Sequence, residues 1–229
     1  MAPVLGYWDI RGLAQALRNL LEYAGVEYED KRYSFGTGPE WTRDEWLADK
    51  PSLGLDFPNL PYYLDGDVKL TQSLAILRYL GRKHGLAPKD EKLQCRVDVV
   101  EMQAFDILMS AGVLIYDPAY SDDKRRQFLV DSAEKLRQFE ALLAKDGPFV
   151  AGQEVTYVDF LLYETLQFIR VLGPNNFKEN FPSLEEYNGR VAGLPGLREY
   201  LASPRFKEWP FAGPFAKALA AQHEPPSDD

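Results

Sequence analysis

Reactive sulfur and imidazole are nearly missing from this chain of 229 residues, which has one cysteine, Cys95, and two histidines, His84 and His223. A single cysteine cannot form an intramolecular disulfide, a Cys-x-x-Cys redox pair or a cysteine zinc site. His84 follows Arg82-Lys83 where a helix is expected to end, and His223 sits in an acidic, Pro-bearing tail. Almost no material is left for a Ser-His-Asp triad or a multi-histidine metal centre, so no metal is expected. Basic residues are outnumbered, 26 Lys and Arg against 35 Asp and Glu, and a net charge of -9 has the wrong sign for a nucleic-acid surface. No uninterrupted apolar run reaches about eighteen residues, so no membrane partner is expected. Residues Met1 to Tyr7 carry neither a secretory signal nor an Arg-rich transit pattern, and a cytoplasmic location is the expectation.

What is present is 45% hydrophobic residues with a mean hydropathy of -0.34, enough for one large core or two small ones. The 13 Tyr, 13 Phe and 4 Trp supply material for aromatic-lined pockets, although core packing accounts for most aromatics in most proteins. Val4 to Trp8 reads as a short buried strand, and Leu13, Leu17, Leu20, Leu21 and Ala24 recur at helical spacing before Gly25. Tyr28 to Tyr33 gives a second strand, which completes a βαβ unit. A Gly- and Pro-bearing loop from Ser34 to Pro39 leads to a short helix within Trp41 to Asp49. Asp65-Gly66-Asp67 between Pro61 to Leu64 and Val68 to Leu70 is a hairpin signal. Thr71-Gln72-Ser73 then opens a helix bearing Ile76, Leu77 and Leu80 and ending near His84-Gly85.

Residues 85–90 read as a linker, and everything beyond reads helical. Val97, Val100, Ala104, Leu108, Ala111 and Ile115 share one helical face, and Asp122 to Leu143 forms a second long run that should pack antiparallel to the first. Thr156 and Asp159 form a capping box between staple residues Val155 and Phe160, opening a buried central helix. Shorter helices are expected around Leu184 to Val191 and Leu197 to Ala202, followed by a disordered tail over 223–229. The domain reading is therefore 1–84, a linker over 85–90, and 91–222.

The first unit has the order of a thioredoxin-like α/β domain, βαβαββα with a mixed four-stranded sheet, and an all-helical domain follows it. Such folds usually carry a reactive Cys after the first strand, where this chain has Tyr7-Trp8-Asp9-Ile10-Arg11. The missing sulfur could arrive on a ligand and be held as thiolate by a Tyr hydroxyl and a helix dipole. Three motifs then carry a resemblance: Leu5-Gly6-Tyr7-Trp8-Asp9-Ile10-Arg11-Gly12, the stretch from Leu53-Gly54-Leu55-Asp56-Phe57-Pro58 to Tyr62, and Thr71-Gln72-Ser73 to Tyr79. Over roughly Pro3 to Phe206 the sequence resembles the cytosolic glutathione S-transferases. The Tyr-Trp start and the loop after Ser34 point to the mu class.

The resemblance implies roles for matching positions. Tyr7 would hydrogen-bond the glutathione sulfur, with Tyr7 and Tyr116 as the catalytic pair. A thiol of pKa about 8.5 needs about 2.7 kcal/mol to fall by two units, and a charge-assisted hydrogen bond supplies roughly 1.5 to 3 kcal/mol. Spacing alone reads Tyr7 as a buried strand aromatic. Arg43, Trp46 and Lys50 would hold the glycyl carboxylate, although such cations are otherwise an ordinary solvated helix face. Gln72 and Ser73 would meet the γ-glutamyl end at a helix start, where their plain reading is capping. Asn59 and Leu60 would meet the cysteinyl backbone before a cis Leu60-Pro61 bond, with Trp8 and Leu13 beside the ligand. Asp106 would reach glutathione across a homodimer interface and Phe57 would insert into the partner.

The electrophile pocket implied by the family comprises Trp8, Ile10, Leu13, Met109, Gly112, Tyr116 and a C-terminal aromatic, Phe211 or Phe215. Tyr116 would protonate an opening epoxide or an enolate. Ser110 to Leu114 is more Gly/Ala-rich than in familiar members and Lys207 to Gly213 is lengthened, so the C-terminal wall stays open between those two aromatics. The expected activity is detoxifying conjugation of glutathione, a co-substrate rather than a bound cofactor, to small hydrophobic electrophiles such as aryl halides, epoxides and enones. A non-catalytic ligand binder or a structural protein on the same fold remains the alternative.

Overall fold

The protein is described by a computed structural model over residues 2–36, 38 and 40–226. Met1, Thr37, Pro39 and 227–229 fall outside the described residues, and with them two positions of the loop expected after β2 and the end of the expected tail. The chain enters through β1 (Val4–Trp8) and turns into α1 (Gln15–Tyr23), whose Leu17, Leu20 and Leu21 are buried. Gly25 ends that helix at φ 64, where a side chain would be strained. Gly25 N–H returns to Glu22 O and Val26 N–H to Leu21 O, the pair of bonds of a Schellman end.

Strand β2 (Glu29–Tyr33) pairs parallel with β1 in a register running from Val4 opposite Glu29 to Trp8 opposite Tyr33. After α2 (Asp44–Asp49) and a 3-10 turn over Lys50–Ser52 come β3 (Tyr62–Asp65) and β4 (Val68–Thr71). Asp65 faces Val68 and Gly66 takes φ 60, so the hairpin turns on two residues, as its Asp-Gly signal requires. The sheet order is β2-β1-β3-β4, parallel only between β1 and β2, and α3 (Ser73–Lys83) follows β4.

The remaining elements are helices: α4 (Glu91–Tyr116), α5 (Asp122–Asp146), α6 (Tyr157–Leu172), α7 (Pro174–Asn180), α8 (Pro182–Ala192) and α9 (Leu197–Leu201). The sequence reading names no separate helix at α7. Here Gly173 ends α6 and Pro174 occupies the first position of the next helix, where its missing N–H costs nothing. By length and mean hydropathy α4 is apolar enough to cross a membrane, although Glu101 and Asp106 interrupt its apolar run. It is a core helix, with Val97, Val100, Ala104, Leu108 and Ala111 buried in the same cluster as Val158, Leu161 and Leu162 of α6.

One apolar core unites α1, α3, α4 and α6, and a smaller one gathers Tyr7, Ile10, Tyr33, Trp46, Leu60 and Tyr62. Residues 203–226 form no helix or strand and run back over the start of the chain. Lys207 pairs with Asp9, Arg205 with Glu22, and Arg11 N–H donates to Pro210 O at 2.9 Å. His223, in the tail expected to be disordered, donates its N–H to Ala220 O at 2.9 Å.

Candidate functional site

Strand β1 is buried at three successive residues, Leu5, Gly6 and Tyr7, and Tyr7, one residue before the strand's end, has only 7% of its surface exposed. Gly12, at φ 44, turns the chain back over the ring so closely that a Cβ there would lie 2.7 Å from the Tyr7 hydroxyl. The next residue, Leu13, donates its N–H to Tyr7 Oη at 3.1 Å. That bond occupies a lone pair and leaves the phenolic proton free to donate elsewhere. Burial outweighs the Leu13 bond and pushes the Tyr7 pKa up to about 12, so the ring is a donor and not a base at neutral pH. The turn is held by Arg18, fully buried, which donates to Ile10 O at 2.9 Å and to Asp30 at 3.1 Å.

A second group is assembled by aromatic contacts. Trp46 of α2 is 6% exposed and lies stacked near Tyr62 of β3 and edge-on to Tyr33 of β2, at centroid distances of 6.1 and 5.6 Å. Tyr33 shares a 2.9 Å hydrogen bond with Tyr62 and donates to Asp49 at 2.9 Å, which fastens α2 to the sheet. Burial, with Tyr62 and Asp49 adding to it, drives the Tyr33 hydroxyl far above its ordinary pKa. Lys50 Nζ lies 5.9 Å from the Trp46 ring centroid, and Arg43, at the N-cap of α2, is exposed. The sequence-predicted trio Arg43, Trp46 and Lys50 is thus carried by one short helix and the turn after it.

Leu60-Pro61 is cis, as the motif implies. Leu60 is buried in the same cluster as Tyr7 and Trp46, while exposed Asn59 accepts Leu60 N–H on its own Oδ1 at 2.9 Å. Gln72 is the N-cap of α3 at φ 71, its side chain makes no capping bond, and the first turn holds no acidic residue. Helix α3 therefore presents uncapped backbone donors and the positive end of its dipole, a setting that suits a carboxylate. Ser73, the first helical residue, lines a narrow crevice with Gly12, Leu13 and Glu164.

Next to Tyr7 opens a cleft of about 360 Å³. Of the predicted wall, Ile10, Leu13, Met109, Gly112, Tyr116 and Phe211 line it, and Leu108, Val113, Ile115, Phe168 and Ala212 join them. Tyr116 Oη accepts Gly213 N–H at 2.9 Å, which again leaves the phenolic proton free, and burial raises its pKa. Phe211, not Phe215, supplies the C-terminal aromatic wall. Trp8 and Phe215 do not line the cleft, contrary to expectation: Trp8 stacks on Phe35 at 4.2 Å, and Phe35 meets Phe215 edge-on at 6.3 Å. Phe35 lies in the loop after β2 and carries no sequence signal of that contact.

Asp106 and Phe57 stand away from this assembly. Asp106 is exposed on α4 and lines a groove of about 570 Å³ with Met102, Gln103, Phe139 and Leu142, between α4 and α5. Phe57 is 78% exposed. A further feature without a sequence-derived role is Arg11, 3% exposed, whose guanidinium makes a forked pair with Glu164 of α6 at 2.8 and 2.7 Å. The available signal is a lone glutamate inside the apolar stripe of α6. Among the described residues no cluster of three His, Cys, Asp or Glu could hold a metal.

Comparison with known proteins identifies the family. The glutathione S-transferase N-terminal domain family matches residues 3–82 and the C-terminal domain family residues 105–204. The chain is 46% identical over 217 residues to glutathione S-transferase Mu 2 of Mus musculus, covering 95% of this chain and 97% of the relative. It is 47% identical over 215 residues to a glutathione S-transferase of Tyrophagus putrescentiae, covering 94% and 95%. Among solved structures, the glutathione S-transferase Blo t 8 superposes with a TM-score of 0.86 at 38% identity, over 93% of this chain and 98% of that one.

Proposed function

The chain belongs to the mu class of the glutathione S-transferases, and on that premise we propose that Tyr7 holds the glutathione sulfur as thiolate. The observation that carries the assignment is the Leu13 N–H donated to Tyr7 Oη at 3.1 Å beside the apolar cleft. The hydroxyl's own proton then points to the ligand, and its raised pKa keeps it protonated while the thiol ionises. One such charge-assisted bond is worth roughly 1.5 to 3 kcal/mol, or about one to two pKa units on the thiol.

Glutathione is the co-substrate and no cofactor is tightly bound. Its γ-glutamyl carboxylate meets the uncapped start of α3 at Gln72 and Ser73, and its glycyl carboxylate meets Arg43, Trp46 and Lys50. The cysteinyl backbone pairs with Leu60, which requires the Asn59 side chain to release the Leu60 N–H it occupies. The thiolate then attacks an electrophile held in the cleft, and Tyr116 gives its proton to an opening epoxide or an enolate. Catalysis is activation plus proximity, without a covalent enzyme intermediate.

The division into 1–84, a linker over 85–90 and 91–222, the cytoplasmic setting and the homodimer belong to the same reading. In the dimer, exposed Phe57 enters the partner's groove between α4 and α5, and Asp106 faces the partner's glutathione. Conjugation of 1-chloro-2,4-dinitrobenzene by wild type and Tyr7→Phe tests the mechanism. A fall of roughly tenfold or more in kcat/KM is expected, and equal rates would remove Tyr7. Retention on immobilised glutathione with no turnover of any electrophile would favour a pure binder.

A further inference from the structure

Phe211 lines two cavities. Besides the cleft of about 360 Å³, it lines a second cavity of about 630 Å³ walled by Arg11, Val171, Pro174, Trp209 and His223. Phe211 is the residue the two linings share, and its backbone and ring both have close partners. Its N–H donates to Leu219 O and its carbonyl accepts Gly12 N–H, each at 3.0 Å. Phe168 and Trp209 pack edge-on to it at 4.9 and 5.9 Å. The Arg11 guanidinium lies 4.1 Å from the ring centroid and is itself locked by the forked pair with Glu164.

With the cleft taken as the electrophile site of the proposed function, we propose that Arg11, held by Glu164, is a positioning residue that fixes Phe211 as a partition and so limits the size of electrophile the enzyme accepts. A flat cation with two bonds to one carboxylate has a single orientation over the ring, which a lysine cannot reproduce. Freed from that contact, or removed, Phe211 no longer separates the cavities. The cleft then opens into the larger space behind it.

The test compares two enones that undergo the same thiolate addition, benzylideneacetone with one ring and 4-phenylchalcone with three. In Phe211→Ala the ratio of kcat/KM for the large over the small enone should rise roughly tenfold, the scale of a missing hydrophobic contact in a specificity pocket. Arg11→Lys and Glu164→Asp should move the ratio in the same direction. Loss of stability alone would lower both rates together and leave the ratio fixed, so an unchanged ratio in all three variants overturns the proposal. A changed ratio in Phe211→Ala with none in folded Arg11→Lys and Glu164→Asp overturns the role of Arg11. Gly112→Leu fills the cleft from α4, where an added Cβ meets nothing within 4 Å, and should raise the KM for both enones. If it does not, the cleft is not the electrophile site and both readings fall; if it does while the ratio stays fixed, the partition alone falls.

Discussion

Replacing Asp159 with alanine should destabilise the protein by about 3 kcal/mol. The carboxylate is fully buried and accepts four hydrogen bonds: Val150 N–H at 2.9 Å, Thr156 N–H at 2.8 Å, and the Thr156 and Tyr187 hydroxyls, each at 2.9 Å. Truncation strands all four donors at sites that are 0 to 4% exposed. The Tyr187 hydroxyl already lies 3.3 Å from Asp159 O and can turn to it, and the Thr156 hydroxyl can rotate. The two backbone N–H groups are fixed, and each buried orphan costs about 1 to 3 kcal/mol. Burial raises the pKa of this carboxyl despite those donors, so relief of a desolvated charge offsets part of the loss. About 3 kcal/mol remains, against a typical total of 5 to 15 kcal/mol. For a chain of this size that corresponds to roughly 6 to 12 °C in Tm. Urea denaturation at one fixed protein concentration is the assay, with Asp159→Asn as the control that keeps one acceptor oxygen and should lose less. Because α6 carries Glu164 and Phe168 into the site, activity should fail at lower temperature in parallel. A loss below about 1 kcal/mol would show that the box does not anchor α6.

Three other outcomes are expected. Burial alone would raise the Asp9 carboxyl, but Lys207 and Arg32 outweigh it and hold its pKa below the ordinary carboxylate range, so Asp9 stabilises the fold above that range and loses its contribution as pH falls through the depressed value. Asp9→Asn should therefore lower Tm at pH 7 by a margin that closes below about pH 4; melts that keep the same gap in acid would contradict the linkage. Phe57→Ser should shift sedimentation equilibrium towards monomer, and a wild type already monomeric at micromolar concentration would end the dimer reading. Cys95 is exposed on α4 away from the cleft, so Cys95→Ser should conjugate 1-chloro-2,4-dinitrobenzene at the wild-type rate; a large loss would put the thiol in the chemistry.

Local order made much of the fold legible. The strand, helix and hairpin signals of the first unit depend on residues a few positions apart, such as the Gly25 helix end, the Asp65-Gly66 turn and the Thr156 and Asp159 box. Each closes its own backbone bonds, so each can be read from a short stretch. The candidate site was proposed on a different ground: Tyr7, Gln72 and Ser73 sit in contiguous motifs, while Arg43 and Trp46 lie outside them and follow only from the resemblance that those motifs carry. Helix α7 was hidden because Gly173-Pro174 serves equally well as a break and as a helix start.

The sequence by itself narrowed the chemistry, because one cysteine and two histidines leave Tyr, Arg, Lys, carboxylates or a bound cofactor to carry it; a tyrosine hydroxyl acting on a sulfur brought by the ligand is what the resemblance around Tyr7 implies. Tertiary structure alone decided the shape of the cleft beside Tyr7. Its walls come from β1, α4, α6 and the irregular segment 203–226, which are more than 100 residues apart in places. Whether Phe211 or Phe215 faces the cleft depends on which carbonyl Gly12 finds and on where the Arg11 and Glu164 pair settles, 153 positions apart. Contacts between distant segments follow from three-dimensional packing and leave no periodic trace in the chain.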